Sequence, residues 1–373
     1  MMKLSLQFII AFISLLIVFN CKSLKDESPI EKEVKYFTSV EIETLIEDST
    51  LNVRALEIVR DEFIAPTYLT SNGEFGILLP NSTYNHIDSL KNRLFYNHKV
   101  ALSTDSLVLN FRSMGNTSKG GFGISIGSPA ILYKLNADLE KNEIVYQENH
   151  PKAFYDSMEF WNDQEGIAIG DPTEDCMSVI ITRDGGDTWT KLSCEDLPKA
   201  NEGEAAFAAS DTNIAIVGDK IWVATGGKSS RILFSVDKGK TWDVFDTPII
   251  QGKETTGMYS IDFYDENHGF AIGGDYTDAD ANQKNKIVTN DGGKTWQVVA
   301  DGSGPGYRSC VQYVPNSNAQ QLVAIGFKGI DYSADAGQTW KHLSDEGFYT
   351  LRFLNDSTAY AAGNGRISKL SFK

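Results

Sequence analysis

Apolar and polar residues alternate through four stretches of nearly the same design: SVIITRDGGDTWTKL from Ser178, RILFSVDKGKTWDVF from Arg231, NKIVTNDGGKTWQVV from Asn285 and GIDYSADAGQTWKHL from Gly329. A period of two puts alternate side chains on opposite faces of a strand, so each stretch predicts a strand, a tight turn and a second strand. The turn reads Ser/Thr-x-Asp-x-Gly-x-Thr-Trp in every copy. Asp184, Asp237, Asp291 and Asp335 are placed to accept bonds from nearby backbone N–H groups. Gly186, Gly239, Gly293 and Gly337 can take positive φ without a Cβ clash. Trp189, Trp242, Trp296 and Trp340 hold one position in the unit, where a large ring fits between one sheet and the next. The turn is thus predicted to hold the fold rather than to do chemistry.

The four aspartates lie 53, 54 and 44 residues apart, close to the span of a four-stranded propeller blade with its loops. Further strand–turn–strand segments recur ahead of the turns, as in FYDSMEFWNDQEGIAIGDP and GMYSIDFYDENHGFAIGGDY, with GEAAFAASDTNIAIVGD supplying that element for the copy at Ser235. Two degenerate units precede them. Unit starts at Val53, Leu109, Phe154, Glu204, Gly257, Tyr307 and Phe348 predict an all-β, seven-bladed propeller. The last unit lacks a fourth strand, and Val34 to Ile42 is a strand without a unit. Pairing that segment with Arg366 to Phe372 would close the ring, which removes open sheet edges.

The N-terminus breaks the pattern. Lys3 and the apolar run from Phe8 to Phe19 precede Cys21; about 12 residues are too few to span a bilayer and suit an export signal. Residues 1–20 are read as that signal, 21–33 as a charged, disordered tether and 34–373 as the propeller. The ending VFNC resembles a lipobox, which implies acylation of Cys21 and a lipid-anchored, exported protein, in the periplasm or on the outer-membrane surface. A formal charge of −16 without a clustered basic face argues against nucleic acid as a partner. Three cysteines remain. In the hairpin around Gly185, residues whose numbers sum to about 370 should face each other, and Cys176 and Cys194 do so. A disulfide between them leaves Cys310 free. A one-residue bulge would turn them to opposite faces and leave all three reduced.

The repeated turn resembles the Asp-box (BNR repeat) of sialidases, sortilin-type receptors and many bacterial exported proteins. Together with GDP, GEAAFAAS, ATGG, GMYSIDF, GGDY and GYRS, from about Arg54 to the C-terminus, the chain resembles the photosystem II stability/assembly factor-like propellers and their Bacteroidetes lipoprotein relatives. That resemblance implies a monomeric scaffold that binds a protein, or an anionic or glycan ligand, at the channel mouth. Members of the group are also called oxidoreductases or glycosyl-hydrolase repeat proteins. No GxGxxG opening a helix and no paired histidine spacing among His86, His98, His150, His268 and His342 supports a cofactor or a metal, and none is expected.

Arg54, Arg112, Arg231 and Arg308 stand near strand starts in different units, where inner strands converge on the channel. They could bind a carboxylate or phosphate there, or each could pair with an acidic neighbour such as Glu204 or Asp171. The Phe-Arg-Ile-Pro motif of sialidases is absent. A glycan hydrolase, the competing class, would need two facing carboxylates from a set such as Asp156, Glu159, Glu204, Asp262 and Asp275. Asp275, Asp278 and Asp280 share a loop that suggests a hard cation but lacks the glycine and closing glutamate of a helix-flanked calcium loop; a solvated loop is the plainer reading.

Overall fold

The computed structural model describes residues 35–60, 64–80, 95–104, 107–135 and 142–373. The export signal, Cys21 with the whole of the tether, and His86 lie outside them. Among the described residues the regular structure is all strand, as the period-two patterning predicts. The strands group into seven four-stranded antiparallel blades, and the inner strand of each touches the inner strand of the next in cyclic order. The chain folds as a β-propeller.

One long strand, Val40–Arg60, serves two blades. Its first part pairs with Asn364–Phe372, from Val40 opposite Phe372 to Glu47 opposite Arg366. Its second part, from Val53 onward, pairs with Ile64–Thr70 as the inner strand of the first blade. Phe37 anchors the closure, its ring 5.0 Å from Phe372 and 4.9 Å from Tyr332.

Blade contacts run through the repeated turns. In the first, Thr188 donates from its amide (3.0 Å) and its hydroxyl (2.6 Å) to Asp184, while Gly186 N–H donates to Thr182 Oγ1 at 2.9 Å. The same bonds recur around Asp237, Asp291 and Asp335. Trp189 and Trp296 are buried, while Trp242 and Trp340 are partly covered.

Six inner strands begin within three residues of the expected positions. The fourth is different: its inner strand is Ile214–Val217, ten residues after Glu204. The intervening residues do not join that blade. Glu204–Ala205 pairs with Gly226–Gly227, and residues 206–213 enter the central channel. Asp211, at φ 59°, accepts the amides of Met114 and Met158 from two inner strands, and its carbonyl accepts from Arg352. Ser210 donates to the Ser309 carbonyl at 2.5 Å, and Thr212 to Ser260 at 2.8 Å. This segment is a plug bonded to the surrounding blades.

Cys176 and Cys194 are joined, with Cα atoms 5.4 Å apart, and Cys310 is buried as a free thiol. The register that suggested the pair is off by one. Ile180 faces Lys191 and Ile181 faces Thr190, so partners sum to 371. Both cysteines lie beyond the end of that ladder, where Cys176 instead bridges Lys199.

Candidate functional site

Four inner strands carry a register shift at one equivalent residue: Arg54, Arg112, Asp156 and Tyr259. A bulge leaves its extra residue unpaired and re-aims its side chain. At Arg54, Arg112 and Tyr259 it feeds one channel mouth, a pocket of about 460 Å³ floored by the plug residues 205–209. Arg54 donates to the Ala209 carbonyl at 3.0 Å and lies 3.9 Å over the Tyr349 ring; Arg112 donates to the Ala208 carbonyl at 3.4 Å. Neither guanidinium forms an ion pair with a described residue, and Arg54 Nε has no partner among them. Burial lowers the pKa of both, and Arg54 lowers that of Arg112 further by repulsion. Two adjacent cations with spare donors make a site suited to an anion.

Aromatic rings line the same pocket. Phe207 stacks on Tyr259 at 3.9 Å, Tyr259 meets Tyr307 at 4.8 Å, and Tyr307 meets Phe327 at 5.4 Å. Tyr276 and Phe327 at the rim are 50% and 43% exposed. Apolar surface that stays wet beside fixed charges is characteristic of a binding face.

The other two arginines do not join this pocket. Arg231 is held bidentately by Glu204, with contacts of 2.5 and 3.1 Å, and Arg308 donates from two nitrogens to one oxygen, Oδ2, of Asp331, at 2.6 and 2.7 Å. Asp171 does line the mouth. Its Oδ1 accepts the Ala206 amide at 2.8 Å, and burial pushes its pKa up to about 6. Asp156 behind it is fully buried, both oxygens lack a well-formed hydrogen bond, and burial followed by the charge of Asp171 raises its pKa well above the ordinary range.

Of the hydrolase candidates, only Glu159 and Asp262 come together, lining a second pocket of about 440 Å³ at the plug's other end with Asp211 and Arg352, while Glu204 is committed to Arg231. Asp275 accepts from Thr277 and Lys253; these bonds outweigh the effect of burial and hold its pKa at about 2. Asp280 pairs with Lys328 instead of joining Asp275, and no metal-holding group of His, Cys, Asp and Glu exists among the described residues. His268 and His342 sit against aspartates of their own surroundings.

Sequence reasoning passed over Arg352. It bonds Glu57 at 2.6 Å in the second pocket, facing Asp211 at 4.0 Å. The signal was available, because Arg352 occupies the place that Glu57, Glu159 and Asp262 hold in ALE, SME and SID. The plug had no comparable signal.

No protein-family model and no curated protein matches the chain. Among solved structures it is similar to one described as YCF48 bound to D1 peptide, at 12% identity and TM-score 0.61, covering 91% of this chain and 97% of that one. YCF48 from Cyanidioschyzon merolae matches at 9% identity and TM-score 0.62, over 90% and 99%. The RRP9 WD40 repeats match at 10% identity and TM-score 0.59, over 91% and 100%. At these identities the likeness is one of fold, a propeller matched over nearly its full length.

Proposed function

We propose that this protein is an exported scaffold, tethered to a membrane through Cys21, that holds a protein partner at the arginine-bearing mouth of its channel. The observation that carries this reading is the Arg54–Arg112 pair, two neighbouring cations that share an aromatic-walled pocket and lack an ion-pair partner among the described residues. An anionic group of the partner would take the spare guanidinium donors, while apolar side chains cover Tyr276 and Phe327. The solved structure of YCF48 with a D1 peptide is a precedent for peptide binding by a propeller of this shape. The repeated turns and the lipobox-like ending resemble those of assembly-factor-like lipoproteins, which supports the reading. The test is crosslinking and recovery of partners from native membranes. Wild type is expected to capture a reproducible protein that the Arg54→Gln/Arg112→Gln variant loses while remaining folded. Equal capture by both moves the binding face elsewhere. Cys21→Ser is expected to release the protein from the membrane fraction.

A further inference from the structure

Among the residues lining the arginine-bearing mouth, only Asp171 and Glu254 are acidic. Asp171 is the fixed one, tied by Oδ1 to the backbone of the plug that floors the pocket. Arg112 and Arg54 and the tyrosines 259, 276, 307 and 349 share the lining with it, and Asp156 of the inner strand interacts with it by charge. Asp156 is close enough to feel both Asp171 and Arg112. Glu254 reaches the pocket from the loop before the fifth blade.

We propose, building on the binding reading above, that Asp171 is a charge gate for this mouth: ionised, its fixed negative charge repels an incoming anion from the pocket it shares with the two guanidiniums, and protonated, it does not. The carboxyl is placed for this by its anchorage. It cannot swing away from the mouth without giving up the Ala206 amide, so the carboxyl stays within the pocket. Burial moves its titration to about 6, between the acidic and neutral conditions an extracytoplasmic protein meets. Burial and then the charge of Asp171 push Asp156 in the same direction, and the raised values of Tyr259 and Tyr307 keep these rings neutral. Asp156 is not in the lining, so Asp171 is the anchored carboxyl whose charge an incoming anion meets. A unit charge several ångströms from a bound anion, at the effective dielectric of a partly buried site, changes its affinity on the order of tenfold.

Sulfate is the probe, because its own charge is constant from pH 5 to pH 8. Calorimetric titration of the folded protein should give on the order of tenfold tighter sulfate binding at pH 5 than at pH 8. Asp171→Asn keeps an acceptor for the Ala206 amide and should bind at pH 8 as wild type does at pH 5. Asp156→Asn should keep the pH dependence. Sulfate binding that ignores pH, or a pH dependence that survives Asp171→Asn, overturns the gate and leaves the arginine site standing. An absence of sulfate binding at pH 5, or binding unchanged in Arg54→Gln/Arg112→Gln, overturns the gate together with the reading it rests on.

Discussion

Gly337 meets two demands at once. Its φ is +84°, and a Cβ there would lie 2.2 Å from the Phe270 ring of the preceding blade; Gly186 stands in the same relation to Phe122. The repeated turn thus needs glycine for backbone conformation and for close approach between blades. Gly337→Ala should cost on the order of 2–4 kcal/mol, combining strain at positive φ with overpacking. Asp291→Ala should cost about 1 kcal/mol or more for its lost acceptor, and Trp296→Ala about 3–5 kcal/mol. Urea denaturation of the three variants checks this order. Lys286 presents a different case. It is fully buried, and its ammonium is held by Asn285 Oδ1 and the Pro305 carbonyl without a direct anion. Burial, then the charge of Arg308, lowers its pKa to about 8. Between that value and the ordinary lysine range the unfolded chain binds more protons, so stability should rise with pH. Lys286→Met should abolish this rise and be more stable near pH 7, by on the order of 2–4 kcal/mol. Unfolding at pH 7.5 and pH 10 measures both effects.

At the scale of the strand, ring closure depends on the N-terminal segment. Deleting residues 36–47 should expose the edge of the last blade and lower the melting temperature of the whole domain in one transition; a truncation starting at Asn52 that melts like the parent would refute the closure's importance. The pairing was readable because an orphan strand and a short last blade were both visible in the alternation, but its bounds were not: the paired residues are Val40 to Glu47, so of the expected segment Val34 to Ile42 only the last three take part. Arg54 and Arg112 were readable as candidates near strand starts, but the bulges that aim them were not, and the pattern could not separate them from Arg231 and Arg308. That distinction depends on Glu204 and Asp331, whose positions are tertiary. The plug misled for a physical reason. AAFAASD alternates small, apolar and polar residues as an inner strand does, yet its neighbours are the inner strands of other blades. Alternation reports that a segment is buried on two sides without saying against what.

Over the whole molecule, charge is arranged along the channel. One mouth has Arg54 and Arg112. The other has Glu57, Glu159, Asp211 and Asp262 against Arg352. Burial and then Glu57 push Glu159 up to about 7, and burial pushes Asp262 up to about 6. These groups hold protons in the native state that the unfolded chain has released, so the stability they confer is lost as pH rises from about 4.5 through 7. The turn aspartates act in the opposite sense. Bonds from threonine hydroxyls and amides overcome burial and hold Asp184 and Asp291 below the ordinary range, so their contribution is lost as pH falls through those lowered values. The melting temperature should therefore be higher at pH 5 than at pH 8. Glu159→Gln with Asp262→Asn should shrink that difference, as thermal scans across pH would register.

The strand shared by the first and last blades also sets a timetable. Thr38 bonds a residue 335 positions further along the chain, and the plug's Ser210 waits for Thr350. At ribosomal rates of roughly 5–20 residues per second, the first strand is on the order of 20–70 s older than its partner. Until then the chain is an open arc with both end blades uncovered. A nascent chain stalled before its final strand should be a substrate for chaperones and proteases, with no smaller propeller to fall back on.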